Sequence, residues 1–196
     1  MEDINECYNA WKTTIEMIKD RGYKFPDNTD YEKVDLNNFK ELFSEKNCDI
    51  LAVSDKTNKK IYVKFVLTPK IKPIQLREYF DEIMNTYITE DDDFIVILRT
   101  QVNTPIEKLN KEKKYKHIQI FWTHILQYNP TKHYLVPLHR KCSEEEIKEL
   151  MIKYKIEKKQ LPSITKEDPI VRYYNFQSGD VICVKRKMND HYLHVI

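Results

Sequence analysis

ITKEDPIVRYYNFQSGDVICVKRK, from Ile164 to Lys187, packs a helix start, a helix stop and a strand into one short run. Asp168 followed by Pro169 is an N-cap with a pre-set first helical position. The helix this predicts runs through Arg172, Tyr173 and Tyr174 and closes at Asn175, a residue that tolerates positive φ, so that Phe176 can pack back on it. Gly179 then turns the chain into a strand over Val181 to Lys185. No nucleophile is set beside a base anywhere in the run, which turns the reading from catalysis towards docking.

Upstream of this stretch, Ser143 and Glu146 form a capping box for a helix whose Ile147, Leu150, Met151 and Tyr154 share one stripe. Tyr134 to Leu138 is strand-like, and downstream Tyr192 to Ile196 predicts a closing strand after a tip at KMNDH, residues 187–191. The Asn-Pro of YNPTK, Tyr128 to Lys132, marks a break. We therefore expect two domains, 1–128 and 129–196.

The N-terminal domain opens with Tyr8, Trp11, Ile15 and Ile18 on one helical stripe, stopped at Gly22. A shorter helix carries Leu36, Phe39, Leu42 and Phe43. Strands are predicted at Ile50 to Val53, Ile61 to Leu67, Phe94 to Leu98 and Ile118 to Phe121, the first two joined as a hairpin by SDKTNKK. Between the second and third, Pro73 starts a helix with Leu76, Phe80, Ile83, Met84 and Tyr87 on its apolar side, so the sheet is mixed and helix-covered. In NTPIEKLNKEKKYK, Thr104 is expected to cap a helix with Pro105 at its first position and Glu107 completing the box. Five lysines follow between Lys108 and Lys116 against a single acid, Glu112. Such a run is ordinarily a solvated face, and beside a helix start it also suits a phosphate backbone.

Composition sets outer limits. Hydrophobic residues at 41% and aromatics at 12% fit a folded core, while two glycines among 196 residues argue against a glycine-built phosphate loop. No apolar run approaches the roughly 20 residues that span a bilayer, and the acidic start does not read as a targeting peptide, so a soluble intracellular protein with no membrane partner is expected. Cys7, Cys48, Cys142 and Cys183 are dispersed without a CxxC pair, which suits reduced thiols. A zinc set of Cys142, His139 and His133 lacks a second close ligand pair, and no metal or other cofactor is expected. The net charge of +2 hides an asymmetry: residues 129–196 carry 13 Lys or Arg against 9 Asp or Glu, leaving 20 against 22 for residues 1–128. Neither part is a basic glove, so any DNA contact comes from a local, salt-sensitive patch.

Five blocks in order, HYLVPLH (His133 to His139), SEEEIKELMIKYKI, QLPSI (Gln160 to Ile164), DPIVRYY (Asp168 to Tyr174) and SGDVICVKRK (Ser178 to Lys187), resemble the common subunit 5 of eukaryotic RNA polymerases in its C-terminal domain, and the small archaeal RNA polymerase subunit that consists of this domain alone. Trp11-Lys12, DRGYKF (Asp20 to Phe25) and NTPIEKL are similar to the N-terminal half found in the eukaryotic-type subunit and missing from the archaeal one. Asn175 stands where the family usually has glycine, and the tip of the last hairpin is shortened. The resemblance implies an α+β fold: an α/β jaw domain with a restriction-endonuclease-like sheet, then a small α+β assembly domain. It implies a non-catalytic subunit, one copy per polymerase, docked on the largest subunit with its jaw along downstream double-stranded DNA. On that reading Thr104, Pro105, Lys108 and Lys111 face DNA, weakly and without sequence specificity. Arg172, Tyr173, Tyr174, Val181, Val184 and Lys185 form the largest-subunit interface.

The same resemblance raises a nuclease alternative, since such sheets can carry an acid on one strand and acid-x-Lys on the next. Asp49 and Tyr62-Val63-Lys64 have that interval, but Tyr62 fills the second acid's place, and a phenol does not replace a carboxylate ligand at neutral pH. A free-standing transcription adaptor is the other alternative. The Lys, Asn, Ile and Tyr richness fits an AT-rich genome, either cellular, with work in the nucleus, or that of a large DNA virus, with work in cytoplasmic factories and the virion.

Overall fold

The computed structural model describes residues 2–26, 31–45, 47–187 and 189–196, and the chain divides into two compact units, Met1–Tyr128 and Asn129–Ile196.

In the first unit helix α1, Glu2–Asp20, buries Trp11, Ile15, Met17 and Ile18, and Gly22 ends it at φ +87°, a conformation costly for any side chain. Strand β1, Tyr23–Lys24, follows, then helix α2, Leu36–Ser44, capped by Asp35 accepting from the Asn38 amide. Strands β2, Ile50–Ser54, and β3, Lys60–Val66, make the expected antiparallel hairpin. Helix α3, Pro73–Thr86, carries the chain across to β4, Asp93–Leu98, which runs parallel to β3. Helix α4, Thr104–Asn110, does the same for β5, Gln119–Trp122, parallel to β4.

The result is a mixed sheet ordered β1-β2-β3-β4-β5. Alternation sends Tyr62, Val66, Phe94, Val96, Leu98 and Ile120 to one face, where Leu76, Phe80 and Ile83 of α3 and Ile106 and Leu109 of α4 cover them. The opposite parity, Ile61, Val63, Phe65, Ile95, Ile97 and Phe121, is buried as well. Burial on both sides explains why Phe94 to Leu98 is an unbroken apolar run.

The second unit is a four-stranded sheet ordered β6-β8-β9-β7, built from β6, Leu138–Lys141, β7, Ser163–Ile164, β8, Val181–Lys185, and β9, Asp190–Val195. Helix α5, Glu144–Tyr154, covers the face of Cys142, Val181 and Cys183 through Ile147. Helix α6, Pro169–Tyr174, covers the other through Val171, which packs with Ile182, Val184 and Val195. The Ser143 and Glu146 capping box forms as expected. Asp168 Oδ1 accepts from the amides of Ile170 and Val171.

Asn175 ends α6 at φ +58°, and the Phe176 amide donates to the Val171 carbonyl at 3.0 Å, so Phe176 folds back onto the core. Replacing Asn175 by alanine is expected to cost about 1 kcal/mol. Differential scanning calorimetry should read this as a fall of roughly 5 °C for a unit this small. Asn175→Gly is expected to hold or raise the transition.

The structure corrects three local readings. The cap of α4 is Asn103, whose side chain accepts from the Ile106 amide at 3.1 Å, so Thr104 and Pro105 lie inside the helix and the Thr104 capping box does not form. The strand expected over Tyr134 to Leu138 starts only at Leu138. Pro137 has no amide to give a ladder, and Tyr134 and Leu135 sit in an exposed turn at 87% and 69% accessibility. Finally, β9 begins at Asp190 and ends at Val195, which shortens the hairpin tip further and leaves Ile196 beyond the strand; Met188 of that tip lies outside the described residues.

Candidate functional site

Chemistry-bearing side chains gather at three places. The first is the outer face of α4. Ile106 and Leu109 point into the core, which leaves Thr104, Lys108 and Lys111 exposed on the opposite side, one above another, with Pro105 exposed at the flank. Beyond the helix, Lys114 donates to Asp81 at 2.5 Å and Glu112 accepts from Arg77 at 2.6 Å, tying the lysine-rich segment to α3. The Lys114 ammonium holds the Asp81 carboxyl below its ordinary range. Lys108, Lys111, Lys113 and Lys116 are exposed and stand as a surface of positive charge.

The second place is α6 with β8. Only some of the residues expected there reach the surface. Tyr173 is 2% exposed and its hydroxyl accepts from Asn129 Nδ2 at 2.8 Å, while Val181 and Val184 lie in the sheet core. These three side chains therefore lie inside the unit. Asn129 in turn accepts from the Thr131 amide and hydroxyl, so it joins α6 to the start of the unit. Arg172 and Tyr174 are half-buried and Lys185 is exposed. The Tyr174 ring stands edge-on to Tyr173 at 5.2 Å and stacks on Phe176 at 5.3 Å. Lys185 faces Leu138 across the β6–β8 ladder, and Leu138 is itself exposed.

This second unit also contains an ion pair that spacing alone did not reveal. Arg140 of β6 forms two parallel bonds to the Glu146 carboxylate, 2.7 and 2.6 Å, and these hold the Glu146 carboxyl down at about 2. All four cysteines are buried thiols; burial pushes Cys142 up to about 11 and Cys48 up to about 12. The His139 ring is engaged with the Pro137 carbonyl. Among the described residues no group of three His, Cys, Asp or Glu is gathered for a metal ion, and no helix is long and apolar enough to cross a membrane.

The third place is Asp49, just before β2. Its Oδ2 accepts from Lys64 Nζ at 2.7 Å and from the Tyr62 hydroxyl at 3.0 Å, and its Oδ1 accepts from the Phe65 amide at 3.0 Å. Acid and lysine thus stand together as the spacing implied, with a phenol where a metal site needs its second carboxylate. Burial, then the Asp49 charge, raises the Tyr62 hydroxyl above its ordinary range, so it stays a donor and not a ligand. The carboxylate is spent on three donors, and its role here is to continue the β2–β3 ladder past its last paired residues, Ile50 and Val63.

Comparison with known proteins matches residues 1–83 to the family described as RNA polymerase Rpb5, N-terminal domain, and residues 128–194 to RNA polymerase Rpb5, C-terminal domain. The chain is 33% identical to the DNA-directed RNA polymerases I, II, and III subunit rpabc1 of Dictyostelium discoideum over 192 residues, 95% of this chain and 92% of that one. It is 31% identical to the DNA-directed RNA polymerases IV and V subunit 5B of Arabidopsis thaliana, over 94% of this chain and 85% of the relative. A putative DNA-directed RNA polymerase subunit, 454R, of Invertebrate iridescent virus 6 is 34% identical over 63% of this chain and 70% of its own.

Proposed function

Because the chain belongs to the RNA polymerase Rpb5 family, we propose that it seats residues 129–196 on the largest polymerase subunit and holds residues 1–128 as a jaw along downstream DNA. It is a non-catalytic, structural subunit of DNA-directed RNA polymerase, and other polymerase subunits are its partners. The observation that carries the reading is that the N-terminal and C-terminal models of one family both match a single chain that spans 92% of a cellular relative.

Docking uses Arg172, Tyr174 and Lys185, with exposed Leu138 beside Lys185 on the same face of the ladder. Tyr173, Val181 and Val184 fix that surface from within. One copy serves each polymerase. Its place of work is the nucleus if the source is a cell, and the cytoplasmic factory and virion if the source is a virus; fractionation separates the two. Affinity capture of the tagged chain from its native source should recover the largest subunit at equal stoichiometry. Recovery of soluble factors without polymerase would replace this reading with that of an adaptor.

For the jaw, the exposed face of Thr104, Pro105, Lys108 and Lys111 lies against the phosphate backbone of the duplex. Charge reversal at Lys108 and Lys111 together is expected to weaken retention of downstream duplex by assembled polymerase. The slope of log affinity against log salt should become shallower by about 1 per lysine. An unchanged slope would remove both lysines from the contact.

A further inference from the structure

Of the eight prolines, two follow a hydroxyl residue: Pro69 after Thr68 and Pro105 after Thr104. Each pair lies on a crossover between parallel strands, the first after β3 and the second after β4. Thr104 and Pro105 are exposed, as is Asn103 before them. Because Asn103 caps α4, the Thr104 hydroxyl is not spent on the helix, and no other described group engages it. By contrast, Thr14 and Ser44 donate back into their own helices, Thr89 donates to Asp92 and Thr123 to Glu6.

Taking the exposed face of α4 as the DNA contact, we propose that Thr104 is a phosphorylation site for a proline-directed protein kinase, and that the phosphate frees the jaw from duplex. In that step the Thr104 Oγ–P bond forms and the bridging P–O bond to the γ-phosphorus of ATP breaks. ADP leaves, and the hydroxyl proton passes to the kinase's carboxylate base. Pro105, with a fixed φ and no amide to pair, marks Thr104 for kinases whose next subsite takes such a residue. The turn that must open to present the hydroxyl is held by the Ile106 and Glu107 amides, both bonded to Asn103, and Pro105 has no amide to lose.

The consequence singles out Thr104. Lys108 stands one turn on, at i+4, and Lys111 lies beyond it; both are exposed, and neither is paired with an acid among the described residues. A phosphate carries about −2 charge at neutral pH, enough to offset both lysines. With Glu107 in the same turn, it makes the start of this face repel a phosphate backbone. Thr68 lies outside α4 and serves as the internal control.

The test maps phosphate on the chain in polymerase isolated from its native source, and on the full-length chain after treatment with a cyclin-dependent kinase and Mg·ATP. Phosphate at Thr104 is expected in both, and its loss in Thr104→Ala. Polymerase assembled with the phosphorylated chain, in a Thr68→Ala background, is expected to hold downstream duplex about tenfold more weakly than after phosphatase treatment, with a salt slope shallower by about 2. Failure of either sample to carry phosphate at Thr104, or phosphate at Thr68 alone, overturns the site and leaves the lysine contact standing. Equal retention before and after phosphatase, while charge reversal at Lys108 and Lys111 still weakens it, overturns the switch. If that reversal changes nothing, the DNA contact itself falls and the switch falls with it.

Discussion

Tyr173→Ala is expected to unfold the C-terminal unit and abolish incorporation into polymerase. A fully buried aromatic ring replaced by alanine costs about 4 kcal/mol, and here the change also strips Asn129 of a buried partner at 2.8 Å. A unit of 68 residues, 129–196, whose core is two small clusters on the two faces of one sheet has roughly 5 kcal/mol to lose. Tyr173→Phe keeps the ring and loses only the hydroxyl, at about 1 kcal/mol. Near-ultraviolet circular dichroism in urea, run beside capture of assembled polymerase, separates the cases. Loss of assembly is expected for alanine and retention for phenylalanine. Wild-type unfolding of the alanine variant would show that the ring is not the keystone its burial implies.

Asp49→Ala should be nearly as severe in the other unit. It leaves the Lys64 ammonium, the Tyr62 hydroxyl and the Phe65 amide without their common acceptor in a partly buried position. Removing one partner of such a cluster costs about 3 kcal/mol. Asp49→Asn keeps an acceptor oxygen and is expected to lose roughly half as much, chiefly the charge opposite Lys64. Both tryptophans, Trp11 and Trp122, lie in residues 1–128, so tryptophan fluorescence in denaturant reports on this unit alone. Neither variant is expected to alter any magnesium-dependent cleavage of DNA. Cleavage by the wild type that vanishes in Asp49→Ala would restore the nuclease reading.

How far the sequence could be read depended on whether a feature is local. The mixed sheet was legible because Phe94 to Leu98 is apolar on both faces and Pro73 starts a helix between two β-rich runs, signals that sit within a few residues of each other. The close of α6 at Asn175 was legible for the same reason. Competition between neighbours defeated the cap of α4: Asn103 and Thr104 are both good caps, and it is Asn103 that stays extended and accepts from the first-turn amide of Ile106. Apolar content misplaced the strand near Tyr134, although Pro137 carried the contrary signal. Lys108 and Lys111 were singled out by the lysine run beside a helix start, and the fold sets them opposite Ile106 and Leu109. The inward place of Tyr173 had no such local signal, because its partner Asn129 lies 44 positions away.

The open outer side of β6, with Leu138 uncovered and Tyr134 and Leu135 standing proud just before it, has a cost for any copy left orphaned. Such a rim invites another chain to stack along it, and Arg140 and Lys141 blunt but do not abolish that invitation. Synthesis out of step with the rest of the enzyme would feed clumping and disposal, so dosage of this polypeptide has to track that of its seat.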